Sequence, residues 1–204
     1  MRKFSGGGII LWKALKDMKQ KLLESTIKVI GNNGIEKATT KAICKDAELN
    51  EVYIYRLYGS KEQLFIDVYS YLDEEFVNSL LKNFDILVDD SLDNTTKWKK
   101  YVYEILEFIL GNYDKAMTYI YYYYSKYYSS YPVAKRAVRY KKAYEKFGGL
   151  ILKEDVNIGE LFSQLLDIVF TSVLKVFRGE EDKEVMKKRV YKLIYVIIKD
   201  YLKD

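Results

Sequence analysis

A single proline, Pro132, and 11 glycines have to supply the chain breaks of 204 residues. So few breaks suit long helices and leave too little turn chemistry for a sandwich or barrel of many short strands. The periodicity agrees. From Leu11 the inward-type residues recur at Leu15, Met18, Leu22, Thr26 and Val29, the three- and four-residue steps of one helix face. Gly31-Asn32-Asn33-Gly34 ends that face with residues that tolerate a left-handed cap. A short helix over Thr40 to Ala47, opened by a threonine hydroxyl, is followed after only Glu48-Leu49 by Asn50, the cap of a third helix through Glu51 to Leu57. Gly59 stops it, and Ser60 with Gln63 forms a capping box for a fourth helix through Phe76 to about Lys82.

Polar residues over Asp85 to Thr96 read as the main loop, and helices resume at Trp98 to Leu110. A tyrosine-dense segment runs to Tyr131, Pro132 opens a further helix ending near Gly148-Gly149, and Asn157 with Glu160 caps Ile158 to Phe177. A last helix follows Gly179 and reaches Leu202, for about nine helices and no strand.

Composition narrows the chemistry. With no histidine the chain cannot build a Ser-His-Asp or Cys-His nucleophile, a histidine metal site or an imidazole switch. Cys44 is its single cysteine, so there is no intrachain disulfide and no thiolate cluster, which suits a reducing compartment. No metal or cofactor is expected. The apolar stretch from Ala116 to Ser125, between Lys115 and Lys126, is about half of a bilayer span. Neither a transmembrane helix nor a secretory signal is expected, and the cytoplasm is the default location.

Charge is unevenly placed. Residues 1–61 hold 12 Lys/Arg against 6 Asp/Glu, whereas residues 62–204 hold 22 against 23. All of the positive excess therefore lies in the first third, where it serves either phosphate binding or a solvated helix face.

Helix, two-residue gap and helix between Thr40 and Tyr58 is a helix-turn-helix spacing. Together with Gly34, Thr39-Thr40, Ile43, Ala47, Tyr55, Tyr58, Ser60-Lys61-Glu62 and Leu64, in this order and spacing, residues 20–65 resemble the TetR family of transcriptional regulators. The resemblance implies an all-α chain with a three-helix DNA-binding domain over residues 1–59, preceded by a possible flexible basic arm at 1–8. A helical effector-binding and dimerisation domain then occupies 60–204. It implies a homodimer through the last two helices on a palindromic operator, acting as a repressor released by a small effector, with no catalytic residues and no membrane partner.

By that resemblance Thr40 bonds a phosphate, although an ordinary N-cap is the bland reading. Tyr55 and Lys61 touch the backbone on either side of a groove, with a core tyrosine as the alternative for Tyr55. Asn50, Glu51, Val52 and Tyr53 form the exposed first turn that reaches base edges, and Arg56 is a further phosphate contact or a solvated arginine. Two departures stand out. Glu48 occupies a turn position where the family usually has glycine, so the turn either avoids positive φ or carries about 1 kcal/mol of strain. Glu51 cannot approach a phosphate without repulsion, and accepting from cytosine N4 is the role open to it.

The second domain carries aromatic density rather than a motif: 13 of 21 tyrosines lie within residues 101–144. Four in succession, Tyr121 to Tyr124, must point all round a helix. Tyrosine suits either simple core filling or a pocket for a largely apolar or aromatic ligand, with Tyr101, Ile105, Tyr119, Tyr123, Tyr144, Phe162, Leu166 and Phe170 as the candidate lining. A helical aromatic-lined carrier or enzyme without DNA binding is the rival reading.

Overall fold

The computed structural model describes residues 6–130, 133–153 and 156–203. Among them are nine α-helices and no strand: α1 Gly6–Asn33, α2 Thr40–Ala47, α3 Val52–Tyr58, α4 Lys61–Lys82, α5 Asn94–Leu110, α6 Tyr113–Tyr123, α7 Val133–Lys146, α8 Ile158–Phe177 and α9 Lys183–Ile198. None of the described helices is long and apolar enough to cross a membrane. Residues 1–5 of the expected arm and Pro132 lie outside the described residues, while Gly6, Gly7 and Gly8 belong to the first turn of α1 rather than to a free arm.

Side-chain caps fix most boundaries. Asp93 Oδ1 accepts from Thr96 N–H at 3.0 Å, so α5 starts at Asn94 and the expected loop is shorter than residues 85–96. A 3-10 turn at Phe84–Ile86 takes up its beginning, with Phe84 buried. Asn157 and Asp182 cap α8 and α9 in the same way. At α2 the cap is Thr39, whose Oγ1 accepts from Ala42 N–H at 3.1 Å. Thr40 is thus the first helical residue and not the cap.

The chain forms two compact units, Met1–Leu72 with Asp114–Tyr131, and Asp73–Tyr113 with Pro132–Asp204. This division differs from the expected boundary after residue 59, and side-chain packing explains why. The first half of α4 buries Leu64, Phe65, Val68 and Tyr69, which are core for the first unit. There the Tyr69 ring stacks on Tyr119 and Tyr122 of α6, with centroids 5.0 and 4.4 Å apart.

In the first unit α1, α2 and α3 close around Leu22, Ile30, Ile43 and Ile54, all 0% exposed. Lys28 of α1 pairs with Asp46 of α2 at 2.6 Å, which holds that carboxyl below its usual range. Tyr58 donates to the Lys19 carbonyl at 2.9 Å, and burial followed by the nearby Asp67 charge pushes its phenol up to about 12. On the other side α6 lies against α1. Thr118 Oγ1 donates to the Ile27 carbonyl at 2.7 Å and Asn32 Nδ2 donates to Asp114 Oδ1 at 2.8 Å.

In the second unit the latter half of α4, α5, α8 and α9 share a core that includes Phe76, Leu106, Phe170, Val190 and Ile194. Glu107 of α5 accepts from Lys183 and Lys187 of α9, and Tyr140 of α7 donates to the fully buried Asp73 at 2.9 Å. Leu152 and Leu202 make one isolated antiparallel bridge.

Candidate nucleic-acid interface

Why α3 stands out from its unit follows from its seven residues. Only Ile54 is buried in the core, so the opposite side of the helix has no internal partner. Val52 is 63% exposed and Tyr55 is 56% exposed, with Glu51 and Arg56 also exposed and Tyr53 half-buried. The exposure of Tyr55 removes the core-tyrosine reading. The helix runs one residue later than the expected Glu51 to Leu57, with Glu51 in the cap position, while Asn50 supports the turn before it: Asn50 Oδ1 accepts from Val52 N–H at 2.9 Å, and Tyr53 N–H donates to the Asn50 carbonyl at 3.0 Å. It ends at Tyr58 under Gly59, whose φ of 84° serves the turn that a side chain would strain.

The turn before it takes the strained alternative. Glu48 adopts φ 55° and ψ 40°, and its N–H reaches back to the Cys44 and Lys45 carbonyls to end α2. Placing a non-glycine residue there costs about 1 kcal/mol. Cys44 is buried below, and burial first, with the Glu51 charge adding, pushes its thiol up.

Flanking positions supply donors and charge. Thr40 is half-buried at the start of α2, and its Oγ1 donates to Glu51 Oε2. Ser60 Oγ accepts from Gln63 N–H at 3.0 Å at the start of α4, completing one half of the expected capping box, while the Gln63 amide donates to Asp67 at 2.7 Å instead. Lys61 follows, its ammonium 5.4 Å from the Phe65 ring centroid. Lys37, Lys41 and Lys45 are exposed around α2. They were present in the charge count of the first third, but no motif singled them out.

An apolar cavity of about 80 Å³ lies inside the second unit, between Phe76 and Leu80 of α4, residues of α5 and α8, and Ile194 and Ile198 of α9. Of the side chains expected to line a pocket, Tyr101, Ile105, Phe162 and Leu166 surround it. The others lie elsewhere. Tyr119 and Tyr123 belong to the first unit, where Tyr119 stacks on Tyr69 and Tyr123 meets Tyr128 at 4.8 Å. Tyr144 packs behind the lining against Phe162, and Phe170 is fully buried core. Trp98 and Val102 of α5 and Leu161 and Val169 of α8, which also line the cavity, were missed because apolar periodicity marks the inward side of a helix and not which inward residues border a void. The one lining hydroxyl is committed: Tyr101 donates to the Leu80 carbonyl at 3.2 Å, and burial drives its phenol far above the usual range.

Residues 22–68 match the family described as bacterial regulatory proteins, tetR family. Among solved structures, a putative tetR family transcription regulator from Shewanella sp. PV-4 superposes with a TM-score of 0.68 at 15% identity, covering 92% of this chain and 99% of that one. A TetR family transcription regulator from Marinobacter aquaeolei gives 0.63 at 16% identity, over 87% and 95%. The transcriptional regulator FadR from Bacillus subtilis, in complex with stearoyl-CoA, gives 0.62 at 15% identity, over 86% and 96%. Residues 22–68 thus match the tetR-family model, and the chain has the all-α fold of solved TetR-family regulators.

Proposed function

We propose that this protein is a dimeric repressor that binds a palindromic operator through α3 and leaves it when a small apolar effector enters the cavity of the second unit. The observation that carries the DNA reading is the α3 face: Val52 and Tyr55 are 63% and 56% exposed in a segment otherwise held to a tight core. In this reading residues 1–59 are the DNA-binding domain. Thr40, Tyr55, Arg56 and Lys61 hold phosphates while Asn50, Glu51, Val52 and Tyr53 face base edges, with Glu51 accepting from cytosine N4 and an apolar side chain meeting a thymine methyl.

Two features of the second unit support the dimer. Val185, Leu193 and Val196 leave an apolar strip exposed on α9, with Lys188 and Lys192 beside it. Glu160 and Asp167 are exposed on α8, so two copies related by a two-fold axis can oppose acid to base around an apolar centre. The cavity's chemistry supports the effector class, because its lining offers hydrocarbon and ring surface and no free polar group. FadR carries stearoyl-CoA in its structure, so a protein of this fold can hold a long acyl ligand. Switching from nearly full to nearly empty operator requires the effector to prefer the released state by about 5 kcal/mol.

Selection of duplexes from a random pool, followed by fluorescence anisotropy across a salt series, tests the reading. A single enriched palindrome, bound by a dimer with affinity falling steeply as salt rises, is the expected result. Recovery of no preferred sequence, or a monomer by light scattering at micromolar concentration, refutes it.

A further inference from the structure

The Glu51 carboxylate has one partner among the described residues, the Thr40 hydroxyl, and no Lys or Arg pairs with it. Thr40 is also the side chain assigned to a backbone phosphate. A threonine hydroxyl carries a single proton, so it cannot donate to Glu51 and to a phosphate at once. A phosphate arriving at Thr40 therefore meets an occupied donor and an uncompensated negative charge within a few ångströms. The geometry is specific to this pair, since Thr40 opens α2 and Glu51 immediately precedes α3, and the four-residue connection from Glu48 to Glu51 brings them together.

We propose that the contact between Thr40 and Glu51 makes Glu51 a specificity-determining residue, its carboxylate competing with every DNA phosphate for the Thr40 hydroxyl. Binding any duplex requires the carboxylate to be turned away. On a random sequence it then faces phosphates with nothing to accept from. On a sequence that presents an exocyclic amino group to α3, such as cytosine N4, it gains a donor and the loss is recovered. The contact therefore weakens nonspecific binding more than operator binding, and the ratio of the two rises. This inference rests on the DNA-binding reading above and deepens it.

The test uses the full-length protein, a random-sequence duplex and the selected operator, with anisotropy titrations at low and moderate salt. The variants are Glu51→Gln, Glu51→Ala, Thr40→Val and the pair Thr40→Val with Glu51→Ala, each checked for an unchanged circular dichroism spectrum and unfolding midpoint. Glu51→Gln keeps the shape and removes the charge. It is expected to bind random duplex roughly tenfold more tightly at low salt, with the gain shrinking as salt rises, and to gain less or nothing on the operator. Thr40→Val is expected to weaken binding more in the Glu51→Ala background, where the hydroxyl is free, than in the parent protein. An unchanged or weaker random-duplex affinity for Glu51→Gln overturns the proposal. So does equal tightening on both duplexes, or the same Thr40→Val penalty in both backgrounds. If the parent protein binds no duplex at all, the DNA-binding reading itself fails, and that is visible before any variant is compared.

Discussion

Replacing Gly31 by alanine reverses the sign that helix propensity assigns. Inside an ordinary helix, glycine to alanine stabilises by about 0.5–1 kcal/mol, because alanine has less backbone freedom to lose. Gly31 lies in the last two turns of α1, where the start of α6 comes closest. A Cβ there would stand 2.7 Å from Asp114 Cα and 2.8 Å from the Asp114 carbonyl oxygen. Comfortable carbon contacts lie at about 3.5–4.0 Å, so the two backbones must separate by nearly 1 Å. The neighbours resist that movement, since Asn32 bonds Asp114 at 2.8 Å and Thr118 bonds the Ile27 carbonyl at 2.7 Å. Overpacking of this kind costs about 1–3 kcal/mol, and weakening either hydrogen bond adds about 1 more. After subtracting the propensity gain, Gly31→Ala should lower stability by about 1–3 kcal/mol. Urea unfolding of the parent protein and the variant measures it, with Gly149→Ala, where nothing lies within 4 Å, as the control for the method. A Gly31→Ala protein as stable as the parent, or more so, refutes the close approach of α6 to α1.

Glu48→Gly should stabilise by about 0.5–1 kcal/mol in the same urea assay, because it relieves a left-handed residue at φ 55° and removes an acid from the C-terminal end of α2; a less stable variant would show that the turn carries no strain. Glu107→Gln should cost about 0.5–1 kcal/mol at pH 7, a figure kept small because Glu107 is partly exposed. Its carboxyl is held below the ordinary glutamate range by hydrogen bonds from Lys183 and then Lys187. That stabilisation is therefore complete above the ordinary range and fades as pH falls through and below it. The gap between parent and variant in unfolding midpoint should narrow progressively as pH falls below the ordinary glutamate range, and a gap that persists unchanged would remove Glu107 as the source.

What was legible in the sequence was whatever local chemistry decides. Thr40 to Ala47 and Ile158 to Phe177 were read at their observed ends, because Asn157 caps the second and a threonine pair marks the start of the first, although Thr39 and not Thr40 is its cap. The exposed face of α3 was legible for the same reason, since seven residues with one inward isoleucine can present little else. Long-range packing was not. Gly31 read as a stop signal, yet α1 continues to Asn33, and the glycine is needed for a neighbour 83 positions further along the chain. The sharing of α4 between two cores was not legible either, because α4 shows one continuous stripe and nothing local says that its two halves serve different units.

The tyrosines show how that limit bears on function. Tyr121 to Tyr124 could not all be core, and two stacked rings on Tyr69 account for Tyr119 and Tyr122 without any ligand. Once these are assigned to the first unit, the cavity retains few polar tips, and that of Tyr101 is bound to the Leu80 carbonyl. An effector in this cavity therefore finds no free hydroxyl with which to align a polar head, and its affinity has to come from apolar area, at about 25 cal/mol per Å². A void of about 80 Å³ is smaller than the roughly 150 Å³ that holds benzene in an engineered apolar core. Any ligand larger than a few carbons must then displace side chains as it enters, and the half-buried Phe162, Leu165 and Leu166 are the lining residues least constrained against doing so. Effector binding that repacks α8 acts on a helix proposed for the dimer surface, so the same movement that makes room for the ligand can alter how two recognition helices are spaced.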